Sequence, residues 1–156
     1  MIIRKFPDPI LRKKAAGVDK VGDAEKSLLS EMAKTMYLAS GVGLAAVQVG
    51  VDKQIAVIDV GNGLIQLINP VILKREGLVV EEEGCLSVPN TTVKVKRAKK
   101  VVVSFLNEKG EASRLSAEGL FARAMQHEID HLKGKIILDY MSPIKRLFLK
   151  RARKMI

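Results

Sequence analysis

The 156-residue chain has little cysteine, histidine or aromatic content: it contains one Cys, two His and no Trp. Its single cysteine, Cys85, excludes an internal disulfide, as is usual in a compartment that keeps thiols reduced. No apolar run approaches the roughly 18 residues of a membrane span. The charged, proline-containing N-terminus lacks the apolar stretch of a signal peptide. These absences predict a cytoplasmic protein without a membrane partner.

Acidic residues are also scarce. The chain has 17 Asp plus Glu against 27 Lys plus Arg, which gives a net charge of +10. Such an excess favours a polyanionic neighbour, although a solvated basic surface explains it equally well. The length and the 47% hydrophobic content fit a single domain that spans residues 1–156 and has its own core.

Apolar residues recur at helical spacing in three segments, residues 23–39, 117–132 and 143–156. Between the first two, runs of β-branched and apolar residues predict several strands, including a hairpin that closes at residues 61–63. A further short strand is expected at 136–138. This order of elements predicts an α+β fold, with mixed or antiparallel β-sheets around a central helix and a helix towards each end of the chain.

The strongest chemical signal is the sequence HEIDH, from His127 to His131, inside the predicted central helix. Two histidines four residues apart project from one helix face about 6 Å apart, so both imidazoles can bind one metal ion. Glu128 lies one step round the helix, where it is poorly placed as a ligand and well placed to take a proton from the attacking water. The alternative is a solvated surface helix, which the apolar face of this segment disfavours.

The third ligand distinguishes the families that share this motif, because a catalytic site usually has three protein ligands and one open position. Residues 132–156 contain no glutamate, and Ile137 stands where a metzincin protease has its third histidine. The chain has no other histidine. The remaining soft ligand is Cys85, which completes a Cys/His/His set. A structural zinc site would normally have four protein ligands, so three favour an enzyme over a structural or RNA-binding zinc protein.

Three segments together resemble the peptide deformylase family: GVGLAAVQVG at 41–50, EGCLS at 83–87 and QHEIDH at 126–131. The resemblance implies the metal-dependent removal of the formyl group from the N-formylmethionine of newly synthesised polypeptides. It also implies one divalent metal ion per chain, usually Fe2+, with Zn2+, Ni2+ and Co2+ as alternatives. A protease of another HExxH type is the alternative enzyme, and this chain lacks the third ligand that such a protease needs.

The resemblance further implies roles for individual residues. Glu128 would be the acid/base, and Gln48 together with the backbone N–H of Leu86 would stabilise the oxyanion of the reaction. Arg123, on the predicted central helix, faces either the substrate pocket or solvent. The substrate-binding positions that the resemblance implies are Val42, Gly43, Arg97, Leu120 and Ala124.

The basic end of the chain, residues 143–156, carries six cations and no acid. A helix there can pack on the domain with a solvated basic face, or it can bind the phosphate backbone of ribosomal RNA where nascent chains emerge. We expect N-formylmethionyl nascent chains as substrates and no DNA partner, with ribosome contact through this end as one of its two alternatives.

Overall fold

The structure, a computed structural model, describes residues 1–147. Within that range two α-helices are complete, α1 (Asp23–Leu38) and α2 (Gly119–Leu132), and three 3-10 helices connect other elements. The 3-10 helices are Pro9–Arg12, Ala46–Val49 and Ile137–Tyr140. The strands are β1 (Gly43–Ala45), β2 (Ile55–Ile58), β3 (Ile65–Glu76), β4 (Val79–Cys85), β5 (Val88–Arg97), β6 (Lys100–Leu106) and β7 (Ala112–Glu118).

Every strand pair among the described residues is antiparallel. Five strands form one sheet in the order β1-β2-β3-β6-β7, while β4 and β5 form a separate two-stranded hairpin. The hairpin predicted at residues 61–63 connects β2 to β3. These sheets, with α2 among them, confirm the predicted α+β fold.

Strand β2 is buried on both faces because helices cover both sides of the larger sheet. Ala56 and Ile58 pack into the core that contains α2, while Ile55 and Val57 pack into the core that contains α1. Successive side chains of a strand point to opposite faces, so one short apolar strand contributes to both cores. The two helices therefore lie on opposite faces of the sheet.

Helix α1 confirms the prediction for residues 23–39 to within one residue. Its start is closed by Glu25, whose Oε2 accepts a 3.0 Å hydrogen bond from the N–H of Gly22. Leu29, Met32 and Met36 recur at helical spacing and are fully buried. Burying such a side chain contributes roughly 1.5–3 kcal/mol, so this face fixes α1 against the sheet.

The predicted helix 117–132 is wrong at its start. Residues 117 and 118 instead end β7, where Ala117 pairs with Val101 and Glu118 with Lys100. Helix α2 begins at Gly119, whose φ is +58°, a conformation that glycine adopts without steric cost. The sequence pattern missed this boundary because Ser-Ala-Glu suits a helix start as well as a strand end.

The strand predicted at 136–138 is also wrong. Ile137–Tyr140 is a 3-10 helix, and Asp139 Oδ2 closes its start by accepting the N–H of Ile136 at 2.9 Å. The apolar side chains of this segment are buried, but against the β4–β5 hairpin and not as part of a sheet. A run of three apolar residues does not distinguish these two arrangements.

The predicted C-terminal helix reaches the limit of the described range. Residues 143–147 are helical, and the rest of that prediction, residues 148–156, lies outside the described residues. A single domain over residues 1–156 stays a prediction. No helix within residues 1–147 is both long and apolar enough to cross a membrane.

Candidate active site

The three predicted metal ligands come from two elements that meet in space. Cys85 is the last residue of β4, and His127 and His131 lie one turn apart on α2. Sγ of Cys85 lies 3.3 Å from Nε2 of His131, and the two histidine Nε2 atoms lie 3.2 Å apart. All three ligand atoms fall within 4.8 Å of one another. The fold thus brings together a cysteine and two histidines that are far apart in sequence.

The turn between β4 and β5 holds Cys85 in place. Leu86 and Ser87 form this turn directly after Cys85. The N-terminal arm fastens it from outside, because Lys5 Nζ donates to the carbonyl of Leu86 at 2.6 Å and the N–H of Phe6 donates to the carbonyl of Ser87 at 2.8 Å. Cys85 is therefore followed by a turn in which the backbone carbonyls of Leu86 and Ser87 are both held by hydrogen bonds.

The donor set fits a divalent metal ion. Ligands in a tetrahedral site lie about 2.0–2.3 Å from the ion, which puts neighbouring ligand atoms roughly 3.3–3.8 Å apart, close to the separations seen here. Burial, and then the charge of His127, lowers the pKa of His131 well below its ordinary value, which favours the neutral imidazole that binds metal. A thiolate with two imidazoles suits several first-row ions, and three ligands leave one position open.

Glu128 faces the same site. Its side chain is 4% exposed, and its Oε2 has no hydrogen-bond partner among the described residues. Burial raises the pKa of Glu128 to about 7, a shift that His127 opposes and Glu83 reinforces. A buried carboxyl whose pKa lies near neutrality suits proton transfer.

Gly43 makes room for the carboxyl group of Glu128. A Cβ at this position would lie 2.9 Å from Cδ of Glu128 and still closer to Oε1. A Cβ at Gly41 would likewise lie 2.7 Å from Cδ1 of Leu86. The glycine-rich segment therefore lets β1 come close to both α2 and the β4–β5 turn, a requirement distinct from any contact with substrate.

Gln48 lies beside the metal ligands on the 3-10 helix after β1 and is 1% exposed. Its Oε1 accepts the N–H of Ala45 at 2.8 Å, and its Nε2 donates to Oγ of Ser87 at 3.1 Å. The same Nε2 donates to Sγ of Cys85 at 3.7 Å, so its second N–H points at the candidate metal ligands. Ser87 orients this amide, a role that the sequence did not reveal because a lone serine carries no chemical signal.

A buried carboxylate orients His127. Nδ1 of His127 lies 3.0 Å from Oε2 of Glu83, and Arg97 donates to both carboxylate oxygens of Glu83 at 2.8 and 2.9 Å. Burial would raise the pKa of Glu83, but Arg97 and His127 outweigh it and lower this pKa to about 2. Glu83 is thus an anion that accepts the Nδ1–H and leaves Nε2 for the metal.

Arg97 does not lie in the substrate cleft. It is 4% exposed, and beyond Glu83 its Nη1 donates to Oδ2 of Asp130 at 2.6 Å and to the hydroxyl of Tyr140 at 2.9 Å. This position departs from the substrate-binding role expected for Arg97. The side chain of Arg97 points to the interior and not to the cleft. Its ion pair with Asp130 links the β4–β5 hairpin to α2.

A cleft of about 400 Å³ is lined by two of the candidate metal ligands, Cys85 and His127. Arg123 lines it and forms an ion pair with Glu81, which gives this side chain a place on the pocket side of α2. Two strand edges border the cleft, since β1 is an outer strand of the larger sheet and, within residues 1–147, β4 pairs with β5 alone. The predicted substrate-binding residues that line the cleft are Val42, Gly43, Leu120 and Ala124.

Residues 1–147 match the sequence profile described as Polypeptide deformylase. The chain belongs to this family. The peptide deformylase of Halothermothrix orenii is 55% identical over 139 residues, which cover 88% of this chain and 90% of that protein. The crystal structure of the Legionella pneumophila peptide deformylase matches with a TM-score of 0.92 at 42% identity, covering 96% of this chain and 90% of that one. The Ehrlichia chaffeensis enzyme in complex with actinonin matches with a TM-score of 0.95 at 37% identity, covering 99% and 96%.

Family membership establishes the reaction. The enzyme is a metal-dependent hydrolase that removes the N-formyl group from the N-terminal methionine of nascent polypeptides. The predicted family and activity are thereby confirmed. The identity of the metal and the roles of single residues rest on the chemistry of the site and are argued next.

Proposed function

We propose that the enzyme hydrolyses the formamide of N-formylmethionyl peptides at one divalent ion bound by Cys85, His127 and His131, with Glu128 as acid/base. One observation carries this proposal. Three ligand atoms converge within 4.8 Å beside Oε2 of Glu128, which has no hydrogen-bond partner within residues 1–147, and Cys85, His127 and Glu128 line one cleft. A formamide needs an activated water, a stabilised oxyanion and a protonated leaving amine, and this set of groups can provide each of them.

An ion held by Cys85, His127 and His131 would supply Lewis acidity, which would make a water molecule more acidic and polarise the formyl oxygen. Glu128 accepts the proton that the attacking water loses, since its Oε2 is not otherwise engaged. With a pKa of about 7, the same carboxyl then donates that proton to the amine nitrogen as the carbon–nitrogen bond breaks. The products are formate and a peptide with a free α-amino group.

The negative charge that develops on the formyl oxygen needs hydrogen-bond donors already in position. Nε2 of Gln48 is one candidate, because Ala45 and Ser87 fix the amide and leave one N–H directed at the site. The backbone N–H of Leu86, in the turn next to Cys85, is the second. Both donors sit on backbone that is held by other hydrogen bonds, so little reorganisation accompanies the reaction.

The substrate peptide enters as an extended strand. The edges of β1 and β4 border the cleft, and an extended chain can pair with such an edge through its backbone. Val42 and Gly43 provide the pairing positions on β1. The methionine side chain lies against Leu120 and Ala124, the apolar residues that α2 contributes to the lining.

Fe2+ is the native ion in this proposal, with Zn2+, Ni2+ or Co2+ able to occupy the same ligands. Ferrous iron and a cysteine ligand are both sensitive to oxygen. Activity of the freshly purified enzyme should therefore decay in air and persist under nitrogen with a reductant. Equal activity under both conditions would exclude iron as the working ion.

The site of action is the cytoplasm, where formylated chains are synthesised. Ribosome contact through residues 143–156 completes the proposal, because six cations without an acid in that segment suit the phosphate backbone of ribosomal RNA. Deleting residues 148–156 should weaken cosedimentation with ribosomes at low salt. An unchanged association after this deletion would refute the contact.

The site itself is tested by metal content and formate release together. Cys85→Ser protein, reconstituted with one equivalent of Fe2+ or Co2+, should bind the ion more weakly than the unchanged enzyme and release formate more slowly from a formylmethionyl peptide. Ser87→Ala is the matched control in the same turn, since it keeps all three ligands and should keep the metal. Loss of metal from both variants alike would point to damage of the turn and not to loss of a ligand.

A further inference from the structure

A second concave surface adjoins α2 beside the catalytic cleft. Its volume is about 440 Å³, and it shares no lining residue with that cleft. Strand β3 contributes Arg75, β5 contributes Lys96, and the segment after α2 contributes Lys133 and Lys135. We call this surface, with its four cations, the basic pocket.

The cations of the basic pocket lack counter-charges. Arg75, Lys96 and Lys133 are exposed, and none of them forms an ion pair within residues 1–147. Lys135 has its Nζ 3.8 Å above the ring of Tyr140, a contact with an uncharged group. Other lysines nearby in the sheets behave differently: Lys74 on β3 pairs with Glu76, and Lys100 at the start of β6 pairs with Glu118.

The one acid that lines the basic pocket does not offset this charge. Asp130 accepts hydrogen bonds from Arg97 and from the hydroxyl of Tyr140, both at 2.6 Å. Arg97 is itself shared with the buried carboxylate of Glu83. The floor is therefore close to neutral, and the rim carries the positive charge of four side chains.

Like charges gathered around one concavity repel each other, and an anion bound there relieves the repulsion. The basic pocket is larger than one phosphate group needs. Exposed cations also continue past its rim, since Lys94 lies two residues before Lys96 on the same face of β5, opposite Glu82 of β4, and Lys99 is exposed just beyond the strand. This extended arrangement suits a chain of phosphates better than a single anion.

We infer that the basic pocket binds the phosphate backbone of RNA. The chain carries a net charge of +10, and its substrates are nascent polypeptides, which emerge from an RNA-rich particle. The basic pocket would add a contact in the folded domain, separate from the basic end at residues 143–156. Because the pocket and the catalytic cleft share no residues, RNA binding and deformylation of a short peptide are separable.

The test compares two triple variants of the full-length enzyme that lose the same charge. One is Arg75→Gln with Lys96→Gln and Lys133→Gln; the control is Lys20→Gln with Lys26→Gln and Lys109→Gln, at exposed positions outside the pocket. Affinity for a single-stranded RNA oligonucleotide is measured at several salt concentrations, alongside formate release from a short formylmethionyl peptide.

The pocket variant should bind RNA more weakly than the control, and the slope of log K against log salt should fall by about 2, since each lost phosphate contact removes roughly 0.7 for a single strand. Formate release should stay at the level of the unchanged enzyme in both variants. Equal weakening by the two variants would overturn the inference, as it would show a diffuse charge effect. Competition by millimolar inorganic phosphate without measurable RNA binding would also overturn it, because the pocket would then be a site for a single anion.

Discussion

Oε2 of Glu83 lies 3.0 Å from Nδ1 of His127, and this contact decides which nitrogen of the histidine faces the metal site. The carboxylate accepts the Nδ1–H, so Nε2 carries the lone pair directed at Cys85 and His131. Arg97 in turn holds Glu83 with two hydrogen bonds. The orientation of His127 on α2 therefore depends on Glu83 and Arg97 of the β4–β5 hairpin. Arg97 also donates to Asp130, which lies on α2.

Replacing Glu83 should loosen the metal without removing a ligand. Glu83→Gln removes the anion that orients His127, and losing such a partner typically costs about 10–100-fold in metal affinity. Affinity is measured by competition with a chelator. Glu82→Gln is the control, because it changes the neighbouring, exposed carboxylate of the same strand. The orienting role is refuted if both variants hold the metal as tightly as the unchanged enzyme.

Replacing Gln48 should slow catalysis while the metal stays bound. Gln48→Ala removes an N–H directed at the formyl oxygen, and loss of one such donor typically costs about 10²–10³ in kcat. Steady-state formate release together with metal analysis checks this. Gln54→Ala is the control, because that amide donates to the carbonyl of Ala15, outside the cleft lining. A loss of the same size in both variants would indicate a general packing defect.

Adding one methyl group at Gly43 should displace the acid/base. The new Cβ would press on the carboxyl group of Glu128, and a displacement near 1 Å in a catalytic group can cost about 10²-fold in rate. Gly43→Ala should therefore lower kcat with the metal retained. Gly17→Ala is its control, since a Cβ there would meet nothing closer than 3.9 Å. If kcat is unchanged in Gly43→Ala, then the close approach has no part in positioning Glu128.

The sequence predicted a set of reacting groups that the fold brings together, and it missed the groups that orient them. His127, Glu128 and His131 follow from helical spacing, and Cys85 follows because the chain has no other soft side chain to serve as the third ligand. Glu83 escaped notice because its role depends on the register of β4 against α2, which no local pattern reveals.

Arg97 is a second residue whose surroundings could not be predicted from the sequence. Its position in the sequence suggested contact with substrate, but its side chain turns inward to Glu83 and Asp130. Likewise, the start of α2 at Gly119 depends on β7 pairing with β6 as far as Glu118. Tertiary pairing overrides the local preference of residues 116–118 for a helix start.

The ion pair between Glu25 and Lys53 should make part of the stability depend on pH. Lys53 Nζ lies 2.6 Å from Oε1 of Glu25, and this bond, with the N–H of Gly22, lowers the pKa of Glu25 from 4.5 to about 2. A lowered native pKa stabilises the fold above pH 4.5, and this contribution is lost as the pH falls towards 2. Glu25→Gln should thus lower Tm at pH 7 and differ least from the unchanged protein near pH 2.

The control for this prediction is Glu31→Gln on the same helix, whose carboxylate is 51% exposed and pairs with Lys34 at 3.4 Å. An exposed pair of this kind contributes little, so its Tm should follow the unchanged protein at every pH. A Tm difference for Glu25→Gln that stays constant from pH 7 to pH 2 would contradict the linkage.

The central claim is that Glu128 moves the proton at an ion held by Cys85, His127 and His131. Its most direct test is the rate of formate release by Glu128→Gln protein that contains one metal ion per chain. The exchange keeps the size of the side chain and removes its ability to accept the proton, so kcat should fall by about 10²–10⁴-fold at full metal content. A rate close to that of the unchanged enzyme, at the same metal content, would contradict the account.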